Sequence, residues 1–566
     1  MTHNYPSCDP LDWTTVQPLF DDLLAADLNP ANARAWLQEW SDLAAVLEEA
    51  SAQVYREITE NTADEAADAR FRTLVTDIIP AATKAEQTLK QKWLALDGYR
   101  PTDETAGLHR RFQVEAELFR EENVPIISEL HLLEKEYQEI VGGLSIDWEG
   151  EAKTIPQANV LLESPDRTAR EDIWRRALQA FLAQREALNQ LFLEMLGRRR
   201  QLARNAGLGS FRDYQWRALA RFDYSPDDCF TFHDAIAHEV VPLATELYQS
   251  LAADLGLDSL RPWETGLEGP WGTTIDRHQA PIRPFEDVTE MEETAARIFR
   301  RVDPDFGDYF RAMRDGYLDL ASRPNKAPGG YCNGFPVSGQ PYIFMNAAGS
   351  AENVSTLLHE GGHAFHFAES IRRQSLVWNI NASTEFCEVA SMSMELLSAP
   401  YWPKSKGGFY SDFDAHRALS EELRSTVFFL PYMAALDSFQ HWLYVEAPAD
   451  VSTGDLDRKW AELWDRYLPG IDYSGLQTEK ETGWHRKGHI FGAPFYYVEY
   501  GLAQLGALQI WRNSLADHAG AVAAYRSALA LGYTRPLPDL FAAACARFAF
   551  DRPLLAELMA LIRKHL

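Results

Sequence analysis

Leu357-Leu358-His359-Glu360-Gly361-Gly362-His363-Ala364-Phe365-His366 contains the pattern H-E-x-x-H. On a helix, residues four apart lie one turn apart on a shared face, so His359 and His363 point the same way. Both imidazoles can then reach one zinc ion at roughly 2.0–2.1 Å. Glu360 follows His359 directly and cannot join that face as a third ligand, but it can flank water at the ion, the place of a general base. The bland alternative is a pair of surface histidines on an amphipathic helix. The surroundings favour the metal. Ser350 can cap a helix with Glu352 in its first turn, and Val354, Leu357, Leu358, Phe365 and Phe367 give that helix an apolar side. Gly361 and Gly362 each cost about 1 kcal/mol in a helix interior. Either a closely approaching backbone or tight packing on a neighbouring helix must favour them.

A catalytic zinc takes three protein ligands and keeps a position open. His366 lies seven residues after His359, roughly 10 Å further along an unbroken helix axis, too far to share the ion. No glycine follows in the H-E-x-x-H-x-x-G-x-x-H manner, which argues against a metzincin. The better source is Thr384-Glu385-Phe386-Cys387-Glu388-Val389-Ala390-Ser391-Met392-Ser393-Met394-Glu395-Leu396, a second helical pattern with Glu388 and Glu395 on one face. A carboxylate among Val389, Ala390, Met392 and Met394 is costly to bury without a cation. The competing reading is a charged stripe on a helix surface. Cys387 reads as a packed thiol.

The spacing from His359 to Glu388, with E-V-A-S-x-x-x-E beginning at Glu388, resembles the oligoendopeptidase F and thimet oligopeptidase family of zinc metallopeptidases, and oligoendopeptidase F more nearly. The resemblance implies Glu388 as third ligand to one Zn2+ per chain, and Glu395 as the residue that holds a ligating histidine. Residues 207–222 also resemble the family. So does Trp484-His485-Arg486-Lys487-Gly488-His489-Ile490-Phe491-Gly492-Ala493-Pro494-Phe495-Tyr496-Tyr497-Val498-Glu499-Tyr500, which matches its H-I-F/Y…P-F-Y-Y-x-x-Y pattern. A tetrahedral intermediate needs donors aimed at its oxyanion. By resemblance, His489 and Tyr500 supply them and Tyr497 contacts the peptide. Thimet-type relatives have a Gly-rich loop where this chain has the shorter Gly492-Ala493-Pro494, so the division of roles among Tyr496, Tyr497 and Tyr500 stays open. Tyr342-Ile343-Phe344-Met345-Asn346, after Pro341, reads as a strand that could offer an edge to an extended peptide. The resemblance implies that role, with Tyr342, Phe344, Gly330 and Tyr331 as substrate-binding candidates. The alternative is a small structural sheet covering the site.

The implied fold is mostly α: a two-subdomain helical, gluzincin-type metallopeptidase around a deep channel, with a small β-sheet beside the active-site helix. The implied activity is internal cleavage of short unfolded oligopeptides. A dipeptidyl carboxypeptidase on the same fold would need a cation for the substrate's terminal carboxylate, and no such residue is identifiable. A non-catalytic, metal-dependent peptide-binding protein would have no use for Glu360.

Composition bounds the rest. The chain has 566 residues, 46% apolar and 24% charged, enough for a large core in two subdomains. A net charge of −29 argues against nucleic acid or an anionic membrane as partner. Five scattered cysteines form no disulfide framework. The opening Met1-Thr2-His3-Asn4-Tyr5-Pro6 lacks a basic region and an apolar run, and no stretch approaches a membrane span in length, so a cytoplasmic location is expected.

Residues 11–137 follow a helical pattern, in which Trp36, Trp40, Leu43 and Leu47 keep the 3.6-residue period of a core face. The acidic pairs Glu48-Glu49 and Asp64-Glu65 read as solvated faces. Around residues 144–149 the period changes to two, and Gly150 follows, a strand and turn. Ser164 reads as an N-cap with Pro165 at the first helical position, and a boundary is placed there: 1–165 an N-terminal helical region, 166–566 the catalytic region. Residues 170–202 read as one long helix, with Arg198-Arg199-Arg200 at its solvated end. Residues 257–287 read as an irregular connection.

Overall fold

The computed structural model describes residues 8–267, 282–327 and 329–566. The opening hexapeptide and the middle of the 257–287 connection lie outside the described residues. Helices dominate, with a two-stranded and a three-stranded sheet. The chain forms two compact units, each drawn from three separate segments. Unit 1 is Met1–Ala116, Pro281–His416 and Gly506–Phe548; unit 2 is Glu117–Ala280, Arg417–Leu505 and Ala549–Leu566. No described helix is long and apolar enough to cross a membrane.

In unit 1 the helix Ala33–Glu60 carries the expected apolar face. Trp36, Trp40 and Leu43 are buried with Phe20, Trp93 and Phe112. Trp40 stacks on Phe112 at 4.9 Å between ring centroids, a pairing worth about 0.5–1.5 kcal/mol beyond area burial. The acidic pairs are not idle surface charge. Glu49 accepts from the backbone N–H groups of Val337 and Ser338 at 2.6 and 2.8 Å. Asp64 caps the helix Glu65–Thr73.

The three-stranded sheet of unit 1 comprises β3 (Leu318–Ala321), β4 (Tyr331–Phe335) and β5 (Gln340–Ala347), in the order β3-β5-β4. This corrects one expectation. β5 is the central strand, parallel to β3 through Leu318↔Ile343 and antiparallel to β4 through Tyr331↔Phe344. Both its edges are used, and Tyr342 and Phe344 are fully buried, so neither can meet a peptide. The physical sign was present in the residues: Tyr342 to Met345 is an uninterrupted apolar run, typical of a strand covered on both faces. Strand β4 keeps an outer edge with no strand partner among the described residues.

The histidine helix, Ala351–Ile371, follows β5 directly. Ser350 accepts from Asn353 N–H and Asn353 returns the bond to the cap, a reciprocal cap at the expected position. The glutamate helix, Thr384–Ser398, packs beside it. The two glycines are explained separately. A Cβ on Gly361 would lie 2.5 Å from Phe299 Cζ, and one on Gly362 would lie 2.6 Å from both the Ala390 carbonyl oxygen and Ser391 Cα. Gly362 therefore answers a backbone and Gly361 a ring.

In unit 2, β1 (Ser145–Trp148) is the expected strand, and it pairs with β2 (Glu151–Thr154) in a hairpin with Glu149 and Gly150 at positive φ in its turn. After the short helix Ile155–Leu161 comes Arg167–Ala183, and Asp166, not Ser164, caps it by accepting from Thr168 N–H. Residues 170–202 are two helices, Arg167–Ala183 and Arg185–Asn205, separated at Gln184. Arg199 is no solvated end: it is buried and donates to Tyr444 Oη at 2.8 Å and to the carbonyls of Ile490 and Phe491.

Gly362→Ala should destabilise unit 1 by about 1–3 kcal/mol, the range for overpacking, despite alanine's higher helix propensity. Thermal unfolding would show it as a lowered midpoint. An unchanged or raised midpoint would mean the glutamate helix is free to retreat.

Candidate metal centre and active site

The two helices bring three donors together. His359 and His363 present their rings 5.0 Å apart at centroids, nearly perpendicular. Glu388 Oε2 lies 3.4 Å from His359 Nε2 and 3.7 Å from His363 Nε2. Donors about 2.1 Å from a common tetrahedral ion sit about 3.4 Å from one another. The spacing therefore fits one ion better than it fits hydrogen bonds. Two of these side chains, His359 and Glu388, are also held from behind. His359 Nδ1 lies 2.7 Å from Glu395 Oε1, which assigns the N–H to Nδ1 and leaves Nε2 as the electron-pair donor. Ser355 Oγ donates to the other oxygen of Glu395 at 3.1 Å, and Ser391 Oγ to Glu388 Oε2 at 3.1 Å.

Charge supports the same fit. Burial alone would raise Glu388, but His359 and His363 overrule it and bring the carboxyl down to about 2. Burial lowers His363 to about 4, so its imidazole is neutral and able to ligate at neutral pH. Burial also disfavours charge on His359, yet the neighbouring carboxylates Glu388 and Glu395 outweigh it and raise that group. The excess negative charge that holds a proton there would hold a dication in its place. Glu360 is buried, and its Oε2 has no hydrogen-bond partner. Burial pushes its carboxyl up to about 7. A buried acceptor without a partner beside the trio is what a general base poised for water would present. These residues fit a divalent ion.

His366 is buried behind the site with Nε2 unpartnered, its ring 6.4 Å from Phe386, and takes no part in the trio. Cys387 is partly buried and donates to the Ala382 carbonyl. The residues alone had not suggested Ser355 or Ser391, although each stands one helical turn from a ligand candidate. Cys332 of β4 was also missed. Burial raises its thiol strongly, and the nearby Glu360 adds to the effect.

His489, Tyr496, Tyr497 and Tyr500 gather in unit 2. His489 lies 4.9 Å from Tyr497 and 6.2 Å from Tyr500 between ring centroids, and Tyr496 lies 5.1 Å from Tyr500. The turn before them is pinned by buried Arg221, which binds Glu499 at 2.6 Å and the Phe495 carbonyl. Burial, helped by Lys487, lowers His489 to about 4, leaving a neutral ring with one N–H to donate. Tyr497 is buried against Phe429 and Tyr432 at 5.5 and 5.9 Å. Its expected peptide contact therefore loses support, while Tyr496 and Tyr500 remain partly exposed.

Residues 160–560 match the model of Peptidase family M3. The chain belongs to that family. It is 25% identical over 233 residues to oligopeptidase PepF of Bacillus subtilis, a match covering 39% of this chain and 33% of that one. To group B oligopeptidase PepB of Streptococcus agalactiae it is 23% identical over 345 residues, covering 60% and 53%. The chain thus spans between a third and about half of the length of these two curated relatives. Among solved structures, PZ peptidase A with an inhibitor shares the fold at TM-score 0.88 and 24% identity, over 98% of both chains. A proposed oligoendopeptidase F aligns at TM-score 0.87 and 25% identity, over 98% and 97%.

Glu395→Gln should weaken divalent metal binding about 10- to 100-fold, the usual effect of removing a carboxylate that orients a ligating histidine. Competition with a chromogenic chelator measures it. Unaltered affinity would show that the His359–Glu395 bond does not tune the site.

Proposed function

We propose that this chain is a zinc-dependent endopeptidase of short, unfolded oligopeptides. One observation carries the reading: two imidazoles and a buried carboxylate converge at ion-binding distances, beside a second buried carboxylate with nothing to bind. His359, His363 and Glu388 would hold one zinc ion per chain. When bound, zinc supplies the Lewis acidity that polarises a peptide carbonyl and makes water a better nucleophile at neutral pH. Glu360 then has a defined task. Its free Oε2 takes a proton from the attacking water and returns it to the leaving amine, the reversible transfer that a carboxyl tuned near neutrality performs well. Glu395 keeps the His359 ring turned with Nε2 forward.

Peptide docking is proposed at the outer edge of β4, with Gly330 and Tyr331 at its start, in place of the covered β5. A substrate strand added there would gain main-chain hydrogen bonds without regard to its side chains. His489 and Tyr500 are proposed as oxyanion donors, on the chemistry of a neutral imidazole N–H and a phenol. The names of the PepF and PepB relatives support an oligopeptidase in preference to a protein-degrading enzyme. A cytoplasmic location remains part of the proposal.

Glu360→Gln should keep a full complement of zinc while hydrolysis of a quenched fluorescent peptide falls at least 10²- to 10⁴-fold, the span of general-base effects. Wild-type turnover in that variant would remove Glu360 from the mechanism. Glu388→Ala should instead lose the metal with the activity. Peptides blocked at the carboxyl end should be cut internally; cleavage confined to free carboxyl ends, two residues in, would make the enzyme a dipeptidyl carboxypeptidase.

A further inference from the structure

Unit 2 contains a second set of metal-binding side chains that the peptidase chemistry does not use. Cys229 and His233 lie four apart on the helix Pro226–Glu239, and Asp437 and His441 four apart at the end of the helix Asp412–His441. Each pair therefore shares a helix face. All four are enclosed, at 0%, 3%, 0% and 1% exposure respectively. Donor atoms of Cys229, Asp437 and His441 lie within 4.8 Å of one another.

The polar contacts inside this cluster are incomplete for a hydrogen-bonded core. His233 Nε2 lies 2.9 Å from Asp437 Oδ2, and Ser438 Oγ lies 3.1 Å from His233 Nδ1, a satisfied chain. His441 Nε2 lies 3.2 Å from the same carboxylate oxygen as an ion-pair contact only, and His441 Nδ1 has no hydrogen-bond partner. Asp437 Oδ1 also has no partner. Phe230, Phe495 and Trp216 surround the His441 ring at 4.8, 5.2 and 5.9 Å. Buried polar atoms left in this state are costly unless something binds them.

We propose that Cys229, Asp437 and His441 supply three donors to a buried zinc-type ion, with His233 fixing the carboxylate. A thiolate and a carboxylate cancel the two charges of the ion, and the neutral imidazole adds none, so the buried site is balanced. Sulfur, nitrogen and oxygen donors together favour zinc over magnesium or calcium. Complete enclosure leaves no route for a substrate, so the ion ties the Pro226–Glu239 helix to the end of the Asp412–His441 helix. The inference does not rest on the peptidase reading, because the trio of unit 1 contains no thiolate.

The test uses the full chain produced in cobalt-supplemented minimal medium, so that the ion can enter during folding. Thiolate ligation to cobalt gives an intense charge-transfer absorption in the near ultraviolet that imidazole and carboxylate ligands do not. The wild type should show this band. Cys229→Ala should lose it together with one equivalent of cobalt, and Glu388→Ala should retain it. Should Cys229→Ala fail to fold, His441→Asn takes its place, with a weakened or shifted band expected. A folded, cobalt-loaded wild type without the band overturns the proposal. So does a band that survives Cys229→Ala, or one abolished by Glu388→Ala.

Discussion

The candidate site of unit 1 depends on how closely two helices approach. At Gly362 the histidine helix has no side chain, and the backbone of the glutamate helix at Ala390 and Ser391 fills the space a Cβ would need. That contact sets the reach of Glu388. Its Oε2 arrives 3.4 and 3.7 Å from the two imidazole nitrogens, and a separation larger by a single methyl group would leave it short. The far side of the glutamate helix is held as well. Tyr525 donates to the Ala390 carbonyl at 2.7 Å, and Gly506 lets Val389 pack where a Cβ would lie 2.7 Å from its methyl group. Glycine on one side and a buried tyrosine on the other fix the helix in depth.

Electrostatics then separates two kinds of buried acid in this unit. Glu369, at the end of the histidine helix, meets Arg526 at 2.7 Å, and Arg526 also binds Asp303 and Asp305. Those carboxylates carry their cation within the chain, and the group serves as an anchor. Among the described residues the charge partners of Glu388 and Glu395 are histidines, with serine hydroxyls donating to both, and Oε2 of the nearby Glu360 has no hydrogen-bond partner. A cluster with three carboxylates and two imidazoles has a charge deficit that suits a dication. The contrast is one of supply: a guanidinium closes the first network, and the second is left open on the side where chemistry is proposed.

Much of this was legible in the residues. The four-residue spacing of His359 and His363, the cap at Ser350 and the apolar face of Trp36, Trp40 and Leu43 are local matters, and periodicity reports them faithfully. Glu388 became a ligand candidate through the cost of burying it and the family pattern around it. The misses share another origin. β5 looked like an available edge because pairing on both sides is invisible in one strand's residues, though its unbroken apolar run was a warning. Arg199 looked solvated because three consecutive arginines cover nearly the whole circumference of a helix, so one of them must face inward. Asp166 displaced Ser164 as cap because the helix begins after Pro165 rather than at it.

The sequence by itself determined which groups could do chemistry and which neighbours on a helix would act together: H-E-x-x-H on one face and Glu388 with Glu395 on another. Such spacings follow from the pitch of a helix and need no other part of the chain. Only the tertiary structure decided which faces meet. It placed Glu388 against the two histidines, enclosed Asp437 with Cys229 across more than two hundred residues, and paired both edges of β5 while leaving one edge of β4 without a strand partner among the described residues. Burial, and with it the charge state of every group at these sites, depends on elements distant in the chain, and no local pattern encodes that distance.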